Sequence, residues 1–261
     1  MNERSSLQAG FTMIEMLISM TLGLLLVIVI GQVFVTSKES YRTTEDLSRL
    51  QESARFAASQ MSRIVRMAGF ISDPLGNRAT IFPAGTLVLD GANGAGTSSD
   101  EITVRYQGSG SPTALPWQSK TVPSAVAAVN LAVFHAVARY FIATGADGGP
   151  ALFCDNTGTV GVTTGPIELA SGVENMQILY GEDTDATPDG TTNRYVARAD
   201  VANLDNVVSL RIAYLVRSAN QVATVPDTRV YNLLGTSYDP VDERRLRRVY
   251  TSTITLRNRA P

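Results

Sequence analysis

A long apolar stretch near the N-terminus constrains this chain more than any other feature. Residues 11–35 carry a single charge, Glu15. A bilayer core about 30 Å thick requires about 20 apolar helical residues to cross it, so this stretch is long enough to span a membrane. A carboxylate is costly in hydrocarbon unless it finds a partner, which makes Glu15 a candidate functional residue.

The remainder of the chain has the size of one folded domain. Residues 36–261 suit one domain rather than two, and the net charge of −2 offers no bulk attraction to nucleic acid. The single cysteine, Cys154, excludes an intramolecular disulfide, and the single histidine, His135, leaves little to build a zinc site or a catalytic triad. We expect Cys154 to be buried rather than reactive and His135 to be a packing residue. No catalytic motif is present, so we expect no enzymatic activity.

The N-terminal helix is predicted to continue beyond the apolar stretch. No proline occurs before Pro74, and apolar residues recur at alternating spacings of three and four. These residues form one seam: Leu47, Leu50, Ala54, Ala57, Met61, Ile64 and Ala68. The pattern predicts a helix over residues 11–68 that stops at Gly69. The seam covers only about three heptads, which favours packing on a sheet over a coiled coil.

From residue 71 onward, short β-type runs alternate with polar loops, which predicts strands. The runs lie at residues 86–91, 100–108, 151–156, 166–181, 207–218 and 247–259, and the fourth contains a turn. Val126–Ile142 is apolar and fits strand or helix equally well. The predicted fold class is α+β, with one long N-terminal helix, membrane-spanning in its first half, packed on an antiparallel β-sheet.

The residues around Gly10 form an ordered pattern. A short polar leader ends in Gly10, Phe11 and Thr12 follow, and Glu15 is the fifth residue after the glycine. This pattern resembles the class III signal of type IV pilins and type II secretion pseudopilins. An ordinary secretory signal would need a small-residue cleavage site after the apolar run, where the sequence reads VFVTSKES. The resemblance implies that a prepilin peptidase cleaves after Gly10 and methylates the amine of Phe11. It also implies that Glu15 pairs with the Phe11 amine of an adjacent subunit.

The second half of the chain contains three segments in a characteristic order: IELASGVENMQILYGEDTD, VVSLRIAYLVRS and RRVYTSTITLRNR. Together with the N-terminal pattern they are similar to the PilW family of type IV pilus minor pilins. The resemblance implies a pilin-like fold and a subunit that helps to prime pilus assembly at or near the tip, supporting motility or adhesion. The implied partners are other minor pilins, the major pilin and the inner membrane. A GspJ-like type II secretion pseudopilin and a membrane-anchored adhesin that uses the acidic loop or the 91–119 loops remain alternatives.

The same resemblance implies a division of the chain into four parts. Residues 1–10 are the leader, and residues 11–35 form the membrane and filament-core helix. Residues 36–70 are its amphipathic continuation, and residues 71–261 form an exported β-rich domain. A small positive excess in the leader favours its cytoplasmic location, with the C-terminal domain in the periplasm before incorporation into the pilus at the cell surface.

An acidic turn at residues 181–193 is a candidate calcium site. Asp183, Asp185 and Asp189 offer hard oxygen ligands of the kind that Ca²⁺ prefers. The turn lacks the central glycine and the final glutamate of an EF-hand loop. A solvated hairpin loop is the simpler interpretation, and no other cofactor is expected.

A basic cluster precedes the last predicted strand. It consists of Arg244, Arg245, Arg247 and Arg248, beside Asp242 and Glu243. Contact with DNA is one interpretation. The adjacent acids weaken the positive field, so we expect the arginines to pair with carboxylates of a neighbouring strand or subunit, and we expect no nucleic-acid partner.

Overall fold

The computed structural model describes residues 11–71, 82, 87–107, 135–156 and 165–258, except for the side chain of His135. The chain divides into two compact units, Met1–Glu45 and Asp46–Pro261. A single helix, α1, runs from Met13 to Val65 and contributes to both units. The four-part division at residues 10, 35 and 70 stays a prediction.

The C-terminal end of α1 is three residues short of the predicted one. After Val65 the backbone tightens into a turn, in which Met67 donates to the carbonyl of Ile64 at 2.9 Å and Ala68 to that of Val65 at 3.0 Å. Gly69 then adopts a φ of 72°, a conformation that glycine accepts without strain. Its N–H donates to the carbonyl of Arg105 at 2.9 Å. Gly69 therefore ends the helical segment, as predicted.

The predicted seam of α1 forms one wall of the hydrophobic core. Every seam residue from Leu50 to Ala68 is at most 2% exposed, whereas Leu47 is half-buried. Asp46 is also buried and accepts a hydrogen bond from Asn220 Nδ2 at 3.1 Å. The periodicity thus identified the buried face correctly but missed this polar contact, because the partner is distant in sequence.

The described residues of the second unit form two antiparallel sheets and a separate hairpin. The strands are β1 Leu89–Ala92, β2 Glu101–Gln107, β3 His135–Thr144, β4 Pro150–Asp155, β5 Ile167–Ser171, β6 Val173–Glu182, β7 Arg194–Val196, β8 Val207–Arg217, β9 Tyr231–Leu233, β10 Thr236–Tyr238 and β11 Arg247–Thr255. The five-stranded sheet has the order β1-β2-β3-β4-β5, and the four-stranded sheet has the order β11-β8-β6-β7. The α+β class is confirmed, with the expected single sheet divided into two. The ambiguous run at 126–142 is a strand from His135 onward, and its earlier part lies outside the described residues.

Gly172 is the junction between the two sheets. It separates β5 from β6 with a φ of 78°, donates to the carbonyl of Pro150 and accepts from the N–H of Arg217, both at 2.8 Å. A Cβ at this position would lie 2.6 Å from the carbonyl oxygen of Arg217. A glycine is therefore required here both for the backbone conformation and for the close approach of β8.

One continuous core lies between α1 and the inner faces of both sheets. Its largest fully buried side chains include Tyr140 of the five-stranded sheet, Tyr180 and Tyr214 of the four-stranded sheet and Met61 of α1. The hydroxyl of Tyr214 donates to the sulfur of Met61 at 3.3 Å. On the outer face of the four-stranded sheet, the β9–β10 hairpin covers Ala213 and Leu215 with Leu233.

Candidate functional site

The start of α1 is capped by Thr12. The N–H of Glu15 donates to Thr12 Oγ1 at 3.3 Å, and the N–H of Met16 donates to the Thr12 carbonyl at 3.1 Å. Glu15 therefore lies in the first helical turn, where the helix dipole favours a negative charge. The sequence analysis predicted a role for Glu15 in pairing with an amine but not at the capped start of a helix. The T-x-x-E spacing, a sequence signature of a helix start, could have indicated it.

The first half of α1 is apolar and exposed. Every residue from 11 to 40 is exposed within the chain, and Phe11, just outside the helix, is 85% exposed. The helix contains a stretch that is long and apolar enough to cross a membrane. Gly10 and the rest of the leader lie outside the described residues, so cleavage after Gly10 and methylation of Phe11 stay predictions.

The structure brings the three predicted calcium ligands together. Each of Asp183, Asp185 and Asp189 offers an oxygen atom within 4.8 Å of the other two. Asp183 is buried, and its two carboxylate oxygens accept the N–H groups of Asp185, Asp189 and Gly190 at 2.8–3.1 Å. Burial works to raise the pKa of Asp183, but these three bonds outweigh it and lower the pKa below its ordinary value. The backbone bonds to Asp183 account for the loop conformation without an ion.

Calcium binding at this loop stays a prediction that the distances permit. Two oxygens bound to one Ca²⁺ at about 2.3–2.6 Å lie at most about 5 Å apart, and six to eight ligands are usual. The three aspartates would therefore need several backbone or water oxygens to complete the coordination shell.

Titration calorimetry with CaCl₂ tests this prediction. We expect a binding heat for the wild-type chain that is abolished in the double variant Asp185→Asn with Asp189→Asn. An absence of heat and of any shift in melting temperature for the wild-type chain would exclude it.

Two of the four arginines of the basic cluster, Arg245 and Arg247, form ion pairs. Arg247 is buried, and its Nε–H group donates a hydrogen bond to Glu174 Oε2 at 2.7 Å. The Nε–H group of Arg245 donates to Glu243 Oε2 at 2.8 Å. Arg217 of β8 approaches the same two carboxylates at 3.7 and 3.5 Å. The predicted pairing with a carboxylate of another strand is confirmed for Arg247, whose partner Glu174 lies in β6. Arg245 instead pairs with Glu243 of its own loop.

Asp227, in the loop before β9, belongs to the same network, because its Oδ2 lies 3.8 Å from Arg247 Nη1. No recognisable sequence motif marks this carboxylate, so it was not predicted. It accepts from Arg229 Nε at 2.7 Å and from the Tyr231 hydroxyl at 2.5 Å. The hydrogen bond from Arg229 lowers the pKa of Asp227 to about 2, although burial works to raise it.

The Asp227 network predicts a loss of stability in acid. A carboxyl group whose pKa is lowered by folding stabilises the protein above its unfolded pKa of about 3.9, and this contribution disappears as the pH falls toward the folded value. We expect Asp227→Asn to be less stable than wild type by about 1–2 kcal/mol near neutral pH, allowing for the exposed Arg229. In urea denaturation, the difference in free energy of unfolding between wild type and Asp227→Asn should become smaller as the pH falls from 4 to 2. A difference that is constant with pH would contradict the assignment.

Cys154 is buried in the core, where its thiol contacts Asn156 Oδ1 at 3.4 Å. Burial raises the pKa of Cys154 to about 12, so the thiol is protonated at neutral pH and is a poor nucleophile. The expectation of a buried cysteine is confirmed. His135 begins β3, and its side chain lies outside the described part of the chain.

The loop between β1 and β2 is held against β6. Asp100 accepts the N–H groups of Gly94 and Ile178, and the side-chain amides of Asn175 and Gln177 donate to loop carbonyls, with all four bonds at 2.8–2.9 Å. This part of the 91–119 segment is therefore anchored to the sheet. Residues 108–119 lie outside the described residues, and a role of the segment in adhesion stays a prediction.

Two parts of the chain match known protein families. Residues 139–258, from within β3 to three residues beyond the end of β11, match the family described as type IV pilus-assembly protein W, PilW. The predicted resemblance to PilW is confirmed. Residues 5–31 match the prokaryotic N-terminal methylation motif, which includes Gly10, Phe11 and Glu15. The PilW match contains the three segments that suggested the family, apart from the last residue of the third, and it begins 28 residues before the first of them.

The fold is also similar to that of a solved structure, a type IV-like pilin from Thermus thermophilus. The two chains are 13% identical with a TM-score of 0.46, and the match covers 82% of this chain and 98% of the pilin. A comparison with curated proteins found no match. The PilW family is a family of structural pilus-assembly proteins, and the methylation motif implies processing of the N-terminus and anchoring of the chain by its apolar helix.

Proposed function

We propose that this chain is a minor pilin that helps to prime assembly of the type IV pilus and sits at or near its tip, supporting motility or adhesion. The observation that carries the proposal is the combination of a PilW match over residues 139–258 with a methylation motif over residues 5–31. The exposed apolar half of α1 suits both the inner membrane before assembly and a helical filament core afterwards. A prepilin peptidase, other minor pilins and the major pilin are the proposed partners.

The membrane arrangement follows from the same features. We propose a single-pass protein of the inner membrane, with the leader in the cytoplasm and the domain from residue 46 onward in the periplasm. The positive-inside tendency of the leader supports this orientation. The second unit contains the two sheets and the buried core, and it is this folded unit that we propose to be exported.

Deletion of the gene, followed by shearing and counting of surface pili, tests the function. We expect few or no pili in the deletion strain and restoration by the wild-type chain. Normal pili with lost secretion of exoproteins would instead indicate a GspJ-like pseudopilin. Normal numbers of pili with lost attachment would indicate an adhesin that is not needed for assembly.

Processing of the N-terminus gives a separate prediction. Intact-mass analysis of the membrane form should show a chain that starts at Phe11 and is one methyl group heavier than its sequence requires. Gly10→Val should block this change, because the peptidase must accept an extended backbone immediately before the helix start at Met13. Ala9→Ser, one residue earlier, is the control and should be processed normally. A mature start beyond residue 30 would contradict the prepilin assignment.

A further inference from the structure

Within the part of the chain that the structure describes, the strand β11 forms a long edge of the four-stranded sheet with no partner on its outer side. It pairs with β8 on one side, with no irregularity in register, from Arg247 opposite Arg217 to Thr255 opposite Ser209. At nine residues it is longer than the other edge strands of the two sheets, β1, β5 and β7, which have four, five and three residues. Edge strands are usually short or interrupted, because unpaired backbone groups can recruit another strand.

The hydrogen bonds around β11 show which backbone groups face the free edge. Leu256 donates to Val208, and Ser218 donates to Leu246, each at 2.8 Å and in the register of the β8–β11 ladder. Antiparallel pairing alternates along a strand, so the even-numbered residues of β11 bond to β8. The N–H and C=O groups of four odd-numbered residues therefore point away from the sheet: Val249, Thr251, Thr253 and Thr255. In the described part of the chain these groups have no hydrogen-bond partner.

The side chains along this edge do not block an incoming strand. Val249 to Thr255 reads VYTSTIT, with no charge, proline or glycine. The side chains of Thr251, Thr253 and Thr255 are exposed on the outer face. Natural sheets protect long edges with lysine, proline or a bulge, and none of these devices occurs in this segment. The edge therefore suits an uncharged, extended strand.

We propose that this edge binds the β11 strand of a second copy of the chain, in antiparallel orientation. Centred on Ser252, the pairing sets Thr251 of each copy opposite Thr253 of the other and Val249 opposite Thr255. Because the two copies are related by symmetry, each combination occurs twice, which gives four pairs. Each pair exchanges two backbone hydrogen bonds, and facing threonines are a favourable cross-strand combination. No like charges face each other over this segment, and the two four-stranded sheets become one continuous sheet. The proposal does not depend on the pilus function, because it concerns the isolated protein.

Hydrogen exchange of the full chain in detergent micelles tests the pairing. With rising protein concentration, the amides of Val249, Thr251, Thr253 and Thr255 should slow by at least about tenfold. The alternate amides, which bond to β8, should be slow at every concentration. Exchange of the odd-numbered amides that does not depend on concentration, or that slows equally in the alternate amides, would overturn the proposal. Protection of the odd-numbered amides only after addition of another pilin subunit would also overturn it in favour of that partner.

Thr253→Pro is the blocking variant, because the N–H that proline lacks is not used by β8. It should be monomeric by light scattering with a melting temperature close to that of wild type, whereas Thr253→Val should dimerise. A dimer that persists in Thr253→Pro would overturn the proposal, since association would then occur through another surface such as α1.

A charge-swap pair tests the same edge without a backbone change. Copies with both Thr251→Lys and Thr253→Lys should not dimerise, and neither should copies with both positions changed to Glu. Mixing the two should restore dimers, which weaken as added salt screens the attraction. Failure of the mixture to associate, with both variants folded, would also overturn the proposal.

Discussion

Glu15→Ala protein is expected to insert into the membrane and to be cleaved normally, yet to be recovered in sheared pili at less than one-tenth of the wild-type level. In a filament core the helices exclude water, and the carboxylate of Glu15 must find a cation. The proposed partner is the amine of Phe11 on an adjacent subunit, which stays basic after methylation. Removal of one partner of a buried pair costs about 3–5 kcal/mol, which is more than a tenfold change in an assembly equilibrium.

The cap at Thr12 supplies the control for this prediction. Glutamine at position 15 can still serve the T-x-x-[EQ] capping arrangement, but it has no charge to offer the amine. We therefore expect Glu15→Gln to be as defective in incorporation as Glu15→Ala. Normal incorporation of the glutamine variant would show that Glu15 acts by capping α1. Wild-type recovery of Glu15→Ala, with normal pilus numbers, would refute the pairing altogether.

Truncation of Ile64 or Leu50 to alanine is expected to lower the free energy of unfolding by about 2–5 kcal/mol, as for other large-to-small changes in cores. Both side chains lie in the core between α1 and the two sheets and are at most 2% exposed. The loss combines the transfer free energy of the deleted methyl and methylene groups with the cavity left between packed layers.

The measurement is urea denaturation of a soluble fragment of residues 39–261, which omits the apolar half of α1. Arg63→Ala, at an exposed neighbouring position of the helix, is the control and should change stability by less than about 0.5 kcal/mol. Unchanged stability for both core variants would mean that the seam contacts solvent or a partner instead of the sheets.

Local periodicity is the reason that α1 was predictable. The seam spacing, the absence of proline and the stop at Gly69 all act within a few residues of one another, so the sequence specifies the helix and its buried face directly. The structure differs from the prediction for α1 at the two ends of its seam. The helix ends at Val65 because its last turn tightens, and Leu47, the first residue of the seam, is only half-buried.

The sequence predicted the positions of most strands but not their arrangement in two sheets. The turn within residues 166–181 was expected, yet nothing local shows that Gly172 transfers the chain from one sheet to the other. That role depends on Pro150 and Arg217, which lie 22 and 45 positions away. The short β9–β10 hairpin was missed for a related reason. Its turn uses Leu234 with a positive φ of 55° where asparagine is usual, so it lacks the ordinary turn signature.

The N-terminal signal, the membrane-compatible helix, its buried seam and the resemblance to PilW were determined by the sequence alone, because each depends on residues that are close together or in a distinctive order. Tertiary structure decided the division into two sheets, the ion-pair network around Arg247 and the free edge of β11. These features depend on which distant segments become neighbours, and the free energy of that choice comes from burial of the core between α1 and both sheets. The alternation along β11 was visible in the sequence, but only its position at the sheet edge decides which backbone groups are left to bind another strand.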